Sequence, residues 1–292
     1  MKKILITGAN SYIGTSLEKW LLQWPKDYSV ETVDMIDGTW KGRDFSKYDV
    51  VFHVAGIAHV STDPKMEALY YKVNRDLTIE TAKKAKDEGV KQFIFMSSII
   101  VYGDSSHINH KRVIDKNTVP KPSNFYGNSK LQAEEGIISL IDDKFKVVVL
   151  RPPMIYGRGS KGNYPKLAKI AQKLPMFPDV DNERSMLHID NLCEFIRLMA
   201  QNEESGLFFP QNSEYVKTAE MVRLVAEVHG KKMRLTKLTN PLLSLVGRRI
   251  DVVNKVFGNL VYEKSMSEYK ERYRVRSFDE SIRATEEQCK AR

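Results

Sequence analysis

The chain has 292 residues, 42% of them hydrophobic and 28% charged, and carries a net charge of +9. At about 150 residues per domain this length implies one large domain or two joined ones, and the ordinary composition excludes disordered, collagen-like and coiled-coil chains. No apolar run approaches the roughly 20 residues of a membrane-spanning helix, and the opening apolar run ends at Gly8, Asn10 and Ser11, too early for a signal peptide.

Cys193 and Cys289 stand far apart, without histidine or cysteine neighbours at ligand spacing, so neither a disulfide framework nor a metal site is expected. A reducing cytosol fits this cysteine usage. The charge is uneven, because residues 231–292 hold 15 Lys/Arg against 8 Asp/Glu. Basic residues gathered at one end argue against nucleic acid, and for a solvated basic face, an anionic small substrate or an acidic membrane surface.

In chain order, β-branched apolar runs at 3–7, 30–33, 50–54, 93–97 and 147–150 read as buried strands of a parallel sheet. Helical patterns at 15–23, 66–88 and 129–141 lie between them, and this alternation predicts a doubly wound α/β fold. Beyond Arg151 prolines punctuate the chain. Helices are expected at 164–173, at 191–201 after a capping Asp190, and at 219–229 after Thr218. The expected division is a dinucleotide-binding domain at 1–160, to which 185–210 returns, and a smaller mixed substrate domain from 161–184 and 211–292.

The first strand runs into Thr7-Gly8-Ala9-Asn10-Ser11-Tyr12-Ile13-Gly14 and then a helix. A glycine turn at a helix N-terminus presents free N–H groups and the helix dipole to a pyrophosphate. Gly8 permits the turn, Gly14 lets helix and strand approach, and Ser11 stands where a middle glycine is usual. Asp34 ends the second strand, 20 residues after Gly14, placed to accept the ribose hydroxyls of NAD. Its charge disfavours the 2′-phosphate of NADP, the second choice, although Lys41 and Arg43 nearby soften that rejection.

Tyr126 and Lys130 stand four apart, on one face of a helix. A phenol titrates near ~10, and an adjacent ammonium with an oxidised nicotinamide would lower that value so that the tyrosine exchanges a proton with a sugar hydroxyl. Ser98, at the C-terminal end of the fourth strand, points into the ligand crevice or caps the following turn.

Taken together, TGANSYIG at 7–14, Asp34, Ala55-Gly56, Asn74, SSIIVYG at 97–103, YGNSK at 126–130 and LRPPMIYG at 150–157 resemble the extended short-chain dehydrogenases/reductases. Within them the chain is similar to the NAD-dependent epimerase/dehydratase family acting on nucleotide sugars, with a Rossmann fold. The resemblance implies that Asp44 and Phe45 lie beside the adenine, and that Asn74 supports the cofactor pocket. It makes Ser98, Tyr126 and Lys130 the catalytic trio, Lys130 also holding the nicotinamide ribose, with Pro153, after Pro152, beside the nicotinamide. It further implies that Asn163 and Arg184 meet the diphosphate of a UDP-sugar, that Phe177 lies beside the uracil, and that the protein is a homodimer.

Dehydratases of this family carry an acidic pair after the catalytic serine or threonine. Here the positions are Ile99 and Ile100, which argues against 4,6-dehydration. Two reactions remain: C4 epimerisation with retained NAD, favoured by Asp34, and reduction of a UDP-4-keto-6-deoxyhexose, suggested by the Pro152-Pro153 segment and the short chain. A dinucleotide sensor without catalysis is disfavoured by the presence of both Tyr126 and Lys130. His107 and His110 lack a third ligand, their stretch 104–121 reads as a mobile flap, and His59 lies close enough to Gly56 to reach substrate. Residues 241–262 place leucines and valines around Arg248 and Arg249, as in a helix that packs on the substrate domain or lies on an anionic membrane.

Overall fold

The architecture was obtained as a computed structural model that describes residues 1–58, 63–104, 106, 108, 110–247 and 251–287. His59, His107, Arg248, Arg249 and Cys289 lie outside the described residues. Strand β1 (Lys2–Thr7) feeds α1 (Tyr12–Leu21), followed by β2 (Tyr28–Val33) and β3 (Val50–His53). Helices α2 (Glu67–Tyr70) and α3 (Leu77–Asp87) flank a π-helical stretch, Tyr71–Asp76, and lead to β4 (Gln92–Met96), β5 (Val113–Ile114), α4 (Phe125–Ile138) and β6 (Lys146–Leu150). The remainder comprises β7 (Met154–Tyr156), α5 (Asn163–Lys173), β8 (Met176–Pro178), β9 (Met186–His188), α6 (Ile189–Gln201) and β10 (Gly206–Phe208). It ends with α7 (Thr218–Val228), β11 (Arg234–Thr236), α8 (Asn240–Gly247), α9 (Asp251–Phe257), β12 (Val261–Tyr262) and α10 (Phe278–Glu286).

Six parallel strands form the main sheet in the order β2-β1-β3-β4-β6-β10. The period-two alternation sends Ile4 and Ile6 to one face and Leu5 to the other. The first face is covered by Leu17 and Leu21 of α1 and Leu192, Phe195 and Ile196 of α6. The second is covered by Ala82 and Ala85 of α3 and Ala133 and Ile137 of α4. Successive strands are laid down outward in both directions from β1, so the strand order switches between β1 and β3 and leaves a crevice at their C-terminal ends. A separate apolar cluster joins Leu167, Phe177, Val222, Val225 and Phe257 around α5, α7 and β8.

The five expected strands all form, and their ends shift by no more than two residues. The expected single helix over 66–88 is instead interrupted by the π-helical turn, which carries the fully buried Asn74. Helix α6 is capped by His188 and not by Asp190, because the His188 Nδ1 accepts the Asp190 N–H at 3.2 Å. Helix α7 is preceded by Lys217, and Thr218 is already helical, its hydroxyl donating to Val256 O at 2.8 Å. The stretch 104–121 is not a loose flap: β5 pairs with β12, Ile114 is buried, and Ser106 N donates to Asn259 O at 3.1 Å. Among the described residues no helix is long and apolar enough to cross a membrane.

His53, at the end of β3, is fully buried between two hydroxyls, with Thr7 Oγ1 at 2.7 Å from Nδ1 and Thr78 Oγ1 at 3.1 Å from Nε2. Burial, with the nearby Lys130 charge, lowers its pKa to about 3. The folded state therefore binds fewer protons than the unfolded chain below pH ~6.5, and stability falls as pH drops from there toward 3. His53→Asn should cost stability at neutral pH yet flatten this decline, as urea midpoints between pH 7.5 and 5 would reveal; an unchanged slope would remove His53 as its source.

Candidate active site

The glycine turn lies on the switch point. Gly8 has φ +97°, and a Cβ there would sit 2.9 Å from Ala55 N and 3.1 Å from its Cα, so the turn touches the backbone leaving β3. Ser11 caps α1, its Oγ accepting the Gly14 N–H at 3.1 Å, and Asn10 takes the left-handed conformation at φ 64°. The N–H groups of Gly8 and Ala9 donate to Val33 O and that of Ser11 to Gly8 O. The first-turn N–H groups of Tyr12 and Ile13 are therefore the ones left to meet an anion. The Tyr12 hydroxyl is buried without a hydrogen-bond partner among the described residues, and burial raises its pKa.

Asp34 is exposed at the end of β2, where its Oδ1 accepts the Ile36 N–H at 2.8 Å. Lys41 pairs with Glu80 at 2.5 Å and Arg43 with Glu31. Asp44 is exposed and accepts from Ser46 N at 2.9 Å. Phe45 corrects the expectation of an adenine contact, since its ring is fully enclosed in the core and its N–H is held by Glu88 at 2.5 Å. These residues fit a dinucleotide: the Gly8 turn is a cradle that a side chain would fill, and the α1 N-terminus and Asp34 offer donors and an acceptor at its two ends.

Gly56 borders the same crevice, where a Cβ would lie 3.0 Å from Asn74 Oδ1 and 3.2 Å from Lys130 Nζ. Asn74 is a brace, accepting the Ile57 N–H at 2.8 Å and donating to Ile57 O at 3.1 Å and Ser129 Oγ at 3.2 Å. Lys130 donates to Met96 O at 2.8 Å and lies 4.7 Å from the Phe95 ring centroid. Burial lowers its pKa to about 8, a shift partly opposed by Glu134.

The Ser98 hydroxyl lies near enough to the Tyr126 phenol to favour its charged form. The pairing of β4 with β6 continues past the strands through Ser97 N to Leu150 O at 2.8 Å and Ile99 N to Pro152 O at 2.9 Å. That ladder sets Ser98 beside Pro152 and the buried Pro153. Ser98 is also the cap of the 3-10 turn Ile99–Tyr102, accepting Ile100 N–H at 3.3 Å. Lys130 is not among the groups that shift the phenol. Burial pushes Tyr126 up to about 12, the nearby Ser98 hydroxyl opposes this, and Tyr70 adds to it.

The substrate-side residues are less open than expected. Asn163 begins α5, after Gly162. Arg184 donates to Gly258 O at 3.3 Å, its backbone bridges to Val216 and Leu260, and burial lowers its pKa to about 10. Phe177 is buried and packs on Phe257 with centroids 5.6 Å apart, so its ring is not free to lie against a base. Among the described residues, no three His, Cys, Asp or Glu side chains gather to hold a metal.

Sequence reasoning missed Glu134 and Arg151. They form a buried ion pair at 2.5 Å, with Arg151 Nη1 donating to Tyr102 OH at 2.7 Å and Ser97 Oγ donating to Glu134. The available signal was Glu134 four residues after Lys130, on the same helical face.

The model of the NAD dependent epimerase/dehydratase family matches residues 4–208, and the chain belongs to that family. It is an enzyme of an NAD-dependent family. The chain is 32% identical over 286 residues to the UDP-glucose 4-epimerase of Vibrio cholerae, covering 89% of this chain and 86% of that one. It is 29% identical over 280 residues to the N-acetyl-alpha-D-glucosaminyl-diphospho-ditrans,octacis-undecaprenol 4-epimerase of Escherichia coli, covering 87% and 81%. The fold is that of UDP-glucuronic acid 4-epimerase from Bacillus cereus, solved with NAD, at a TM-score of 0.74, 19% identity and 99% of each chain.

Gly8→Ala would force a Cβ against Ala55 at a strained φ. Titration calorimetry should find NAD binding weakened by roughly tenfold or more, and unchanged affinity would place the dinucleotide elsewhere. Glu134→Gln would leave Arg151 buried without its counter-charge and should cost about 3 kcal/mol in urea unfolding.

Proposed function

We propose that this enzyme is an NAD-dependent 4-epimerase of UDP-hexoses, working through a 4-keto sugar held in the site. The observation that carries the reading is the gathering of Ser98, Tyr126 and Lys130 at the sheet end that also presents Gly8, Asp34 and Gly56. Similarity to a UDP-glucose 4-epimerase and to a second 4-epimerase over nearly nine-tenths of the chain supports epimerisation over net reduction.

In this reading the Tyr12 and Ile13 N–H groups and Asp34 hold the two ends of the dinucleotide, and Lys130 steadies the nicotinamide ribose. When bound, NAD supplies reversible hydride acceptance at its nicotinamide and, oxidised, a positive charge. Tyr126 takes the proton of the sugar C4 hydroxyl as the C4 hydride leaves, and returns it when the hydride comes back to the opposite face. Ser98 donates to the C4 oxygen and holds it against the phenol. Because burial leaves Tyr126 near 12, its phenolate depends on cationic charge in a dry site, where such charge is weakly screened. Asn163, at the start of α5, and Arg184 are assigned to the substrate diphosphate, for which a rigid guanidinium fork is suited. Ile99 and Ile100 offer no group to remove a C5 proton, so the 4-keto sugar is returned without loss of water.

Purified protein with no added cofactor should convert UDP-glucose and UDP-galactose, or their N-acetyl forms, into one another. Tyr126→Phe should lower kcat by roughly 10²–10⁴-fold while NAD stays bound. Failure to convert any of the four sugars would overturn the reading, and turnover of a UDP-4-keto-6-deoxyhexose with NADH would then assign the reductase activity.

A further inference from the structure

We infer that the outer face formed by β8, β11 and α8 docks the enzyme on an anionic lipid surface. Isolated exposed leucines are ordinary. Here they gather along one edge: Leu174 and Met176 are each 50% exposed, Leu238 is 91%, and Leu242 and Leu245 are each 63%.

The local structure explains why they point outward. β8 and β11 pair in parallel with Arg234 opposite Met176 and Leu235 opposite Phe177. Alternation along the strands sends Phe177 and Leu235 into the apolar cluster beneath and Met176 and Arg234 to solvent. The chain then turns into α8, pinned by Asp179 N to Thr236 O at 2.7 Å and Asn240 Nδ2 to Asp179 O at 2.8 Å. Leu243 packs inward, so Leu242 and Leu245, three apart on the helix, face away from the core. A short helix fixed on its inner side by packing and hydrogen bonds holds these leucines outward at no further ordering cost.

Charge selects the occupant. Exposed Lys169 and Lys173 of α5, with Arg234 and Lys237, flank the leucines. The neighbouring acids Asp179 and Asp181 share one cation, Lys217, at 2.9 and 3.5 Å, so the four basic side chains outnumber the one acidic charge left over. A second copy of this chain, meeting the face about a two-fold axis, would set its positive rim against itself. An anionic leaflet matches both the leucines and the rim, and each basic side chain near it strengthens binding about fivefold. Docking of this kind is independent of the proposed reaction, since it needs neither NAD nor sugar.

The test is co-sedimentation of the full chain with phosphatidylcholine vesicles containing 30% phosphatidylglycerol, against pure phosphatidylcholine. The protein should pellet with the anionic vesicles at 50 mM NaCl and be released at 500 mM. The triple variant Leu238→Ser, Leu242→Ser, Leu245→Ser should bind at least tenfold more weakly. Its urea midpoint should match that of the parent chain, because these side chains touch little. Absence of pelleting at low salt would overturn the inference, as would equal pelleting of the triple variant. Capture by polyglutamate with the vesicles ignored would assign the face to an acidic protein and overturn it too.

Discussion

One buried ion pair anchors the helix that carries Tyr126 and Lys130. Glu134 of α4 and Arg151 at the end of β6 are removed from water together, a placement whose desolvation cost is offset only when every donor and acceptor finds a partner. Here each guanidinium nitrogen has a partner: the Arg151 Nε meets both Glu134 oxygens at 3.1 Å, its Nη1 reaches Tyr102, its Nη2 meets Glu134, and Ser97 adds a donor to the carboxylate. Tyr126, Lys130 and Glu134 follow one another at intervals of four along α4, and fixing the last fixes the rotation of the helix about its axis. A roll of the helix would shift the Tyr126 phenol relative to Ser98 and the Lys130 ammonium relative to Met96.

The cofactor side is joined to this anchor by backbone contact. Gly8 presses on Ala55, Gly56 lies against Lys130 and Asn74, and Asn74 clasps both polar groups of Ile57. The loop after β3 thus fills the space between the glycine turn and the catalytic helix. One physical effect dominates the titration of the side chains around it. Burial raises Tyr126 to about 12, lowers Lys130 to about 8 and lowers His53 to about 3. All three shifts favour the neutral form. A site that resists charge in its own groups responds strongly to charge brought by a ligand, which is why the YxxxK spacing by itself does not make a phenolate.

The elements legible from sequence were those whose signal is local. Five buried strands are short apolar runs, the cofactor turn is a strand followed by Gly8 and Gly14, and Tyr126 and Lys130 announce themselves by spacing. What escaped depends on partners far along the chain. Phe45 and Phe177 match family positions, yet their rings are taken up by core packing, which no motif reveals. His53 is held by Thr7 and Thr78, 46 and 25 residues away. Asp190 has the composition of a cap, but the histidine two residues earlier satisfies the same N–H. The hydrophilic stretch 104–121 resembles a free loop because the strand that pairs with it arrives some 150 residues later.

That late strand also ties the two halves of the site together. Leu260 bridges to Arg184, while Tyr262, two residues on, donates its hydroxyl to Arg151 O at 2.8 Å and its N–H to Ser185 Oγ at 2.9 Å. The guanidinium assigned to the diphosphate and the ion pair that aims Tyr126 are therefore separated by three residues of extended backbone, buried throughout. An extended segment of this length has almost no freedom to stretch, so it sets the separation of the Arg184 and Arg151 backbones. The proposed reaction, hydride and proton transfer at one carbon of a sugar held by its diphosphate, would demand such a fixed distance, because misplacement of about 1 Å costs of the order of 10²-fold in rate. The fold meets that demand with a two-residue strand that closes over both halves of the site only after the chain has built each of them.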